Sequence, residues 1–383
     1  MPIPERVADW LETHWVAPAY SGWVMAGLAL FFFAAATNTM AGWLYVISGV
    51  MLALLAIASI LPERILRGIQ ICRLPIQPVS VGDVINVEIH LENQLPAAKT
   101  LIQVTDETSL GESPRQAIEL IPAHETYRWV YQQPAQHRGI YRWQTVSLKT
   151  AAPLGLFWCR RSQVIPAKAV VYPTVLPLGQ CPLVDQMGQD SSDQASNHYL
   201  SHMATEGLTR SLRPYRWGDP IRLVHWRTSA RYGELRVRDL ETHQGEQEVI
   251  IALDSAIAWN PDCFEQAVVA AASLYFYALK QNRLVSVWTA TTGRVRGDRA
   301  VLETLAATQF GEQRIADRPN TAIVWLSQNV DGLPGLPPGS RWLLWQPAIN
   351  AHTMLEAALP VQPSGLVIQP VDSLESQLQT PLK

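Results

Sequence analysis

The sequence lacks ionised side chains near its start, since no Asp, Glu, Lys or Arg occurs between Glu12 and Glu63. Two apolar runs lie in this stretch, residues 18–37 and 41–61, with the polar tripeptide Thr37-Asn38-Thr39 between them. Each run has about the 20 residues that a helix needs to cross roughly 30 Å of hydrocarbon. Because lipid offers no partner to an open backbone group, both runs are predicted to be transmembrane helices.

Aromatic residues at the ends of the runs distinguish a membrane hairpin from a helical hairpin buried in a soluble core. Trp15, Tyr20 and Trp23 flank the start of the first run, and Trp43 and Tyr45 stand beside the turn. Trp and Tyr are enriched at membrane interfaces, which favours the transmembrane interpretation. A cleaved signal peptide is disfavoured, because the preceding residues are mainly acidic and the apolar stretch is too long.

Arginine positions predict the orientation of the hairpin. Arg64, Arg67 and Arg73 follow the second run, Arg6 precedes the first, and the short turn between the runs has none. Loops rich in Lys and Arg stay in the cytoplasm. We therefore expect a protein of the cell membrane with two spans, in which both termini and all the soluble chain are cytoplasmic.

The sequence is also poor in charge, in cysteine and in catalytic motifs. Charged residues make up 16% of the chain and the formal net charge is −3, which is typical of neither a nucleic-acid-binding protein nor a disordered tail. No nucleophile elbow, phosphate-binding loop, zinc-binding helix or dinucleotide glycine motif occurs. The cysteines show neither paired spacing nor a metal-binding pattern, so we expect them to be reduced: Cys72, Cys159, Cys181 and Cys263.

A thiol-dependent hydrolase is the enzymatic alternative that the residues allow, with Cys263 as nucleophile and His225 or His243 as base. Cys263, however, lies near the start of an apolar stretch that is predicted to be helical, where a cysteine is more often a small core residue. The prediction is therefore a protein that is not an enzyme, with no catalytic residue and no cofactor.

After the membrane anchor, assigned to residues 1–73, the apolar period is two. In residues 84–91, Ile85, Val87, Ile89 and Leu91 alternate with polar residues, a pattern typical of a half-buried strand. Similar stretches follow at residues 101–105, 117–120, 126–131, 141–148 and 169–172. Their spacing predicts that residues 74–175 form an antiparallel β-sandwich of the immunoglobulin or fibronectin kind.

Residues 246–383 alternate strands with helices. Residues 248–253 form an apolar run ending in Asp254, as a buried parallel strand does. Asn260 and Pro261 then suit the N-cap and first turn of a helix over residues 264–279. Further strands are predicted at 284–289, 322–326, 342–345 and 366–368, with a helix at 300–307. This alternation predicts a doubly wound α/β domain with right-handed crossovers.

Residues 176–245 join the two domains and have two parts. Residues 176–204 are rich in Pro, Gly, Gln, Asp and Ser, which predicts a mobile surface connection. Residues 210–239 contain eight arginines around three acids. Each guanidinium presents a rigid fork of donors, suited to carboxylates, phosphates and aromatic rings.

Two interpretations of the Arg-rich part compete with a protein-binding surface. One is an internal clasp between domains, in which Asp219, Arg222, His225 and Arg231 satisfy one another, since buried charges must be paired. The other is nucleic-acid binding through phosphate contacts and stacking on aromatic rings. The slightly acidic net charge and the interleaved acids oppose this second interpretation.

The same segment resembles a known family. The elements Leu212-Arg213-Pro214-Tyr215, Gly218-Asp219, Arg222, His225-Trp226, Ser229-Ala230-Arg231 and Gly233-Glu234-Leu235 are similar to the signature of the domain-of-unknown-function-58 family. The likeness extends to the paired N-terminal spans and to three further elements, Arg138-Gly139-Ile140-Tyr141, Pro153-Leu154-Gly155-Leu156-Phe157 and Val171-Tyr172-Pro173.

The resemblance implies a C-terminal von Willebrand A-like domain over residues 246–383 and association with a MoxR-type AAA+ ATPase. Such domains carry an Asp-x-Ser-x-Ser metal site after their first strand. Here Asp254 is present, but Ala256 and Ala258 stand at the two Ser positions. Because Mg²⁺ requires nearly complete octahedral oxygen coordination, we predict a degenerate site that binds no metal, with Asp254 as a strand-end cap.

Architecture and resemblance together predict a membrane-anchored, cytoplasm-facing scaffold or adaptor for a protein partner, in assembly or envelope maintenance. Its partners would be the lipid bilayer and a MoxR-type ATPase, with no nucleic acid. The candidate residues for partner binding or for an interdomain clasp are Arg213, Tyr215, Gly218, Asp219, Arg222, His225, Trp226 and Arg231.

Overall fold

The computed structural model describes residues 10–13, 15–187, 209–216, 221–240, 248–345, 365–369 and 372–382. The chain divides into two compact units, Met1–Tyr172 and Pro173–Lys383. The first unit contains the two apolar helices and a pair of β-sheets. The second contains the Arg-rich segment and a mixed α/β sheet.

The two apolar runs form helices α1 (Tyr20–Thr39) and α2 (Gly42–Leu66), both long and apolar enough to cross a membrane. They pack on each other through small residues, and the buried Ser48 hydroxyl donates a hydrogen bond of 2.9 Å to the carbonyl of Ala29. Their other faces expose large apolar side chains such as Phe31 and Val46. Such exposure distinguishes this hairpin from a buried pair of core helices.

The bounds of both helices differ from the predicted spans. Ala17–Pro18 is a short strand, β1, so α1 begins after Pro18. Helix α2 continues through Pro62 to Leu66, because its last turn is amphipathic and buries Leu66 in the core of the β-sheets.

Two antiparallel sheets complete the first unit. The smaller has the order β2-β4-β7, and the larger has β1-β9-β8-β5-β6, with β3 pairing in parallel with β9. All six predicted strands are present with longer bounds, and β2 and β3 are additional. The bounds are β2 (Ile69–Arg73), β3 (Val79–Ser80), β4 (Val84–Asn93), β5 (Lys99–Asp106), β6 (Arg115–Ile121), β7 (Thr126–Pro134), β8 (Gly139–Thr150) and β9 (Phe157–Tyr172).

One hydrophobic core is shared by the two sheets, and the period of two explains it. Ile85, Val87, Ile89 and Leu91 of β4 are all fully buried, whereas the residues between them face outward. They pack with residues of the larger sheet such as Val104. Two sheets packed face to face over a common core form a sandwich.

A buried ion pair lies inside this core. Arg73 Nη2 is 2.6 Å from Asp106 Oδ1, and both side chains are almost completely buried. Asp106 also accepts hydrogen bonds from the Tyr131 hydroxyl at 2.7 Å and from Trp143 Nε1 at 3.0 Å, and Arg73 donates a second bond to the carbonyl of Ile165. A buried charge is tolerated when its partners satisfy it in this way.

Arg73 therefore has a different role from the one assumed in the orientation prediction. Its side chain lies in the core and cannot reach a membrane surface, so that prediction depends on Arg6, Arg64 and Arg67, compared with a turn that has no Lys or Arg. The strand that carries Arg73, β2, pairs with β4. Residues 69–73 thus belong to the sandwich and lie beyond the anchor, in contrast to the predicted boundary at residue 73.

The second unit is built on a six-stranded sheet with the order β14-β13-β12-β15-β16-β17, in which only β14 is antiparallel. This agrees with the predicted α/β alternation. The bounds are β12 (Val249–Leu253), β13 (Val285–Thr289), β14 (Gly293–Val295), β15 (Ile323–Ser327), β16 (Arg341–Trp345) and β17 (Gly365–Ile368). Strand β14 was not predicted, because three residues give no readable period.

In the described residues of the second unit, four helices pack on one face of this sheet. They are α3 (Pro182–Asp185), α5 (Pro261–Lys280), α6 (Asp298–Ala307) and α7 (Leu374–Leu378); helix α4 (Trp226–Tyr232) belongs to the Arg-rich segment. Helix α5 begins as predicted, since the Asn260 side chain accepts hydrogen bonds from the backbone of Asp262 and Cys263.

The second face of the sheet is lined by tryptophans, Trp288, Trp325 and Trp342, and in the described chain it is covered by loop residues such as Leu333. The connection between β16 and β17 lies outside the described residues. Double winding therefore remains a prediction.

The predicted mobile connection begins later than residue 176. Leu178, Cys181, Leu183 and Val184 are buried in the core beneath α5, and Tyr277 donates its hydroxyl to Asp185 at 3.0 Å. Residues 176–187 are thus part of the α/β fold, because a short apolar helix in a Pro-rich stretch gives a weak sequence signal. Residues 188–204 lie outside the described chain.

The Asp106 network generates a stability prediction. We expect Tyr131→Phe to lower the free energy of unfolding by about 1.5–3 kcal/mol, since it removes a hydrogen bond to a buried charge. Asp106→Ala should cost more, roughly 3–5 kcal/mol, because it leaves Arg73 buried and unpaired. Urea unfolding of the detergent-solubilised chain measures both. Tyr127→Phe, on the same strand, is the matched control, and an equal effect of both Tyr substitutions would contradict the network's role.

Candidate partner-binding surface

The Arg-rich segment folds as a hairpin that carries a short helix. Strand β10 (Thr209–Pro214) pairs antiparallel with β11 (Arg236–Leu240), and the backbone N–H of Tyr215 continues the pairing to the carbonyl of Leu235 at 2.8 Å. Between the strands lie a 3-10 turn at Ile221–Leu223 and helix α4. Val224, which follows the 3-10 turn, forms a small buried contact with Val237 of β11.

Three side chains and a backbone turn fix α4 on the hairpin. His225 is the N-cap, because its Nδ1 accepts hydrogen bonds from the backbone N–H of Thr228 at 3.2 Å and from its hydroxyl. The buried Ser229 hydroxyl donates to the carbonyl of His225 and accepts from the N–H of Arg236 at 2.9 Å. Gly233 ends the helix at φ 72°, a left-handed conformation that glycine adopts without strain.

One face of α4 is exposed. Trp226 and Ala230 are four residues apart, as are Arg227 and Arg231, so the four side chains are neighbours on the helix surface. All four are exposed in the described part of the chain, Trp226 to 62%. We call these residues, Trp226, Arg227, Ala230 and Arg231, the α4 surface. It joins one large aromatic ring to two guanidinium groups.

A second polar site lies at the carboxyl end of the parallel sheet. Strands β13 and β15 lie on opposite sides of β12, so the chain reverses direction across the sheet there, and α/β proteins bind ligands at such positions. Asp254 follows β12 and is buried. Its carboxylate lies 3.2 Å from Arg314 Nη2 and accepts a hydrogen bond of 3.3 Å from the Ser327 hydroxyl.

The Asp254 carboxylate therefore already has a cation and a hydrogen-bond donor beside it. Burial raises the pKa of Asp254, and the Arg314 guanidinium and Ser327 oppose that shift without cancelling it. Ala256 is half-buried against the tryptophan-lined core and Ala258 is exposed. Among the described residues, no group of three or more His, Cys, Asp or Glu side chains could hold a metal ion.

The residues of the thiol-hydrolase alternative are not assembled as a catalytic pair in the described chain. Cys263 is buried in the first turn of α5, and burial, with a smaller effect from Asp262, raises the pKa of its thiol. A raised pKa disfavours the reactive thiolate. Nδ1 of His225 is occupied by Thr228, and His243 lies outside the described residues.

Comparison with known proteins bears on this segment. A family model described as "Protein of unknown function DUF58" matches residues 211–308. This segment of the chain belongs to the DUF58 family. The match confirms the resemblance drawn from the signature, and it runs from β10 through the parallel strands β12 and β13 to α6. No curated protein matches the chain.

Solved structures resemble this DUF58 protein only in part. The CARDB domain of a Pyrococcus furiosus protein is 11% identical, with 27% of this chain and 94% of that one covered and a TM-score of 0.21. A Pseudomonas fluorescens alkylpurine DNA glycosylase is 13% identical, covering 27% and 30%, with a TM-score of 0.18. A Listeria innocua β-glucosidase is 14% identical, covering 28% and 16%, with a TM-score of 0.19. Likenesses this weak say nothing about function.

The candidate residues of the DUF58 signature separate into groups. His225, Trp226 and Arg231 come together on α4, with His225 as a cap and the other two exposed. Arg213 and Tyr215 lie half-buried at the end of β10. Gly218 and Asp219 lie outside the described residues, as does the side chain of Arg222. The clasp among Asp219, Arg222, His225 and Arg231 therefore remains a hypothesis.

Sequence reasoning missed several residues of these sites. Arg314 and Ser327 reach Asp254 from positions 60 and 73 residues away, and no local pattern identifies them. Arg227 had a readable signal, since it stands four residues before Arg231. Sequence reasoning does not single it out, because the helix that brings the two together has only seven residues, about two turns.

The Asp254 site generates a pH prediction. Because the folded-state pKa is raised, the folded protein binds a proton that the unfolded chain has lost, so this group's contribution to stability falls as pH rises through the raised pKa. We expect Asp254→Asn to be more stable than the parent protein above that pKa and equal to it at low pH. Urea unfolding between about pH 4 and pH 8 measures the difference.

The exposed substitution Asp317→Asn is the control for this series and should leave the pH profile unchanged. The predicted lack of a metal site is tested in the same samples, in which Mg²⁺ should leave the melting temperature of both proteins unaltered. A melting temperature that Mg²⁺ raises in the parent protein but not in Asp254→Asn would contradict the prediction.

Proposed function

We propose that this DUF58 protein is a membrane-anchored scaffold or adaptor whose soluble units face the cytoplasm and whose α4 surface binds a protein partner. The observation that carries the proposal is the exposure of Trp226 beside Arg227 and Arg231 on a helix that the signature residues hold in place. The family resemblance favours a MoxR-type AAA+ ATPase as partner and a role in assembly or envelope maintenance.

The chemistry of the α4 surface is that of an interface centre. Trp and Arg are the residues most enriched among those that dominate binding energy at protein interfaces. Two arginines four residues apart on a helix repel each other by a few tenths of a kcal/mol, about 0.2–0.5, and an acidic partner relieves this repulsion. The expected partner therefore presents an apolar pocket for the indole, flanked by carboxylates.

Two finer points of architecture belong to the same proposal. We infer that the α/β sheet is von Willebrand A-like, supported by the order of its strands, which is 3-2-1-4-5-6 in chain order with an antiparallel third strand. We also infer that the sandwich is of the immunoglobulin kind, supported by two antiparallel sheets over one core.

The anchor is supported by the surface of the two helices. Large apolar side chains project outward from both helices, namely Phe31, Phe33, Val46, Val50 and Ile57. Moving exposed apolar surface from water into lipid is favourable by about 25 cal/mol per Å². Tyr20 and Trp23 at one end, and Trp43 and Tyr45 at the other, suit the two interfaces of the bilayer.

Substitutions on the α4 surface test partner binding. Trp226→Ala and Arg227→Glu should each reduce capture of the AAA+ ATPase from detergent-solubilised membranes by about tenfold or more, which corresponds to about 1.4 kcal/mol. Melting should not change, because Trp226 is exposed and a Glu in the first turn suits the helix dipole. Quantitative mass spectrometry of the captured proteins is the measurement.

The matched controls are Ile315→Ala, which truncates an equally exposed apolar side chain, and Arg115→Glu, which reverses an exposed charge elsewhere. Undiminished capture by both α4 variants would refute the proposed surface. Loss of thermal stability in Asp219→Ala or Arg222→Ala would instead support the clasp. Recovery of nucleic acid, lost steeply with added salt, would support the nucleic-acid alternative.

Cys72 provides a native probe of orientation. It is the exposed cysteine of the four, whereas Cys159, Cys181 and Cys263 are buried. A membrane-impermeant maleimide should label Cys72 in inverted vesicles and leave it unlabelled in intact cells, because the sandwich is proposed to be cytoplasmic. Asn38→Cys in a Cys72→Ser background should show the reverse pattern, since residue 38 lies near the turn between the helices. Labelling of Cys72 in intact cells would contradict the orientation.

A further inference from the structure

We propose that the end of the β-sandwich next to the helices is a lipid-contact surface, seated in the interface of the same bilayer that α1 and α2 cross. We call this surface the rim and define it by Leu101, Leu154 and Trp158, together with Arg64 and Arg67 at the end of α2. The inference rests on the proposed membrane anchor and adds a second point of contact, made by the folded domain itself.

The turn between β8 and β9 lies against the start of α1. The carbonyl of Leu156 accepts a hydrogen bond of 2.8 Å from the N–H of Ala19, and the carbonyl of Gly155 accepts one of 2.7 Å from the Ser21 hydroxyl. A Cβ atom on Gly22 would collide with the Leu156 carbonyl, so the two segments are in direct contact. Leu154, in the same turn, therefore lies beside the first residues of the apolar helix.

The start of β5 lies against the end of α2. The ammonium group of Lys99, itself buried, donates a hydrogen bond of 3.0 Å to the carbonyl of Arg64. Leu101 follows two residues later, and its carbonyl accepts a bond of 2.8 Å from the Thr150 hydroxyl at the end of β8. Both strand ends thus meet at the base of the helices, which places Leu101 on the same side of the sandwich as Leu154.

The apolar side chains of the rim are turned outward. Leu101 is 61% exposed and Leu154 is 47% exposed, and Trp158 is also exposed. Leu101 has a φ of 54°, a left-handed conformation that is costly for a branched side chain and interrupts the pairing of β5 with β6. A leucine held outward at the cost of backbone strain indicates a contact for which the strain is retained.

Cationic groups accompany these leucines. Arg64 and Arg67 are exposed on the last turn of α2 and the residue after it, directly beyond the apolar span, and Arg67 also pairs with Glu63 at 3.1 Å. The ammonium of Lys149 lies over the ring of Trp158 at 4.6 Å and also forms an ion pair with Glu12 at 2.5 Å. Surfaces that lie in the lipid interface combine leucine and tryptophan with Arg and Lys. Their apolar side chains enter the boundary of the acyl chains, and their cations contact lipid phosphates. Because the rim is continuous with the two helices, the bilayer is the proposed occupant of this surface.

Lipid-attached quenchers test the rim in the full-length chain. Single cysteines replace Leu101, Leu154, Val164 or Val46 in a Cys72→Ser background, and each is labelled with an environment-sensitive fluorophore. The proteins are reconstituted in vesicles of phosphatidylcholine and phosphatidylglycerol with or without acyl-chain nitroxide lipids. Leu101 and Leu154 are exposed, so their replacement leaves the core intact.

Val164 is the matched negative control, because it is 74% exposed but stands about seven residues, or roughly 23 Å, along β9 from Phe157. Val46, exposed on α2, reports the anchor. We expect the nitroxide lipids to quench about half or more of the fluorescence of the probes at 46, 101 and 154, because these probes would lie at the boundary of the acyl chains. The probe at 164 should be unaffected.

The two proposals fail differently in this experiment. Quenching at 46 without quenching at 101 and 154 overturns the rim and leaves the anchor in place, and a protein partner or a second copy would then be the occupant of these leucines. Absence of quenching at 46 overturns the anchor itself and the rim with it.

Discussion

Solvation of the tract between Glu12 and Glu63 is the constraint on which the rest of the molecule depends. Without ionised side chains the tract has little affinity for water, and its backbone groups are satisfied inside two helices. Most of the side chains that point away from the helix pair are apolar, and the hydrogen bond from Ser48 to Ala29 lies inside the pair. The proposed anchor and the proposed lipid rim both follow from this arrangement.

The sandwich continues the helices without an intervening linker. Strand β1 is separated from α1 by one residue and pairs with β9, and β2 starts three residues after α2 ends and pairs with β4. The ion pair between Arg73 and Asp106 then ties β2 to β5 within the core. A sandwich joined in this way has a fixed orientation relative to the two helices, as the proposed lipid contact at its end requires.

The DUF58 signature contains residues with two kinds of task. His225, Ser229 and Gly233 make the hydrogen bonds and the turn that form α4 and hold it on the hairpin, whereas Trp226 and Arg231 project from it, beside Arg227, which is not a signature residue. The structural residues explain why a helix this short persists, since seven residues are too few for stability by propensity alone. The projecting residues are those of the proposed partner-binding surface.

Local chemistry allowed the sequence alone to determine the types of element. The charge-free runs, the period of two in β4 and the cap at Asn260 each act within a few residues, so they could be read before the fold was known. Tertiary structure decided what distant residues do. Arg73 looked like a membrane-surface charge and is buried with Asp106, 33 residues away, and Asp254 is paired with Arg314, 60 residues away. Such pairs depend on strand order and register, which no local pattern encodes.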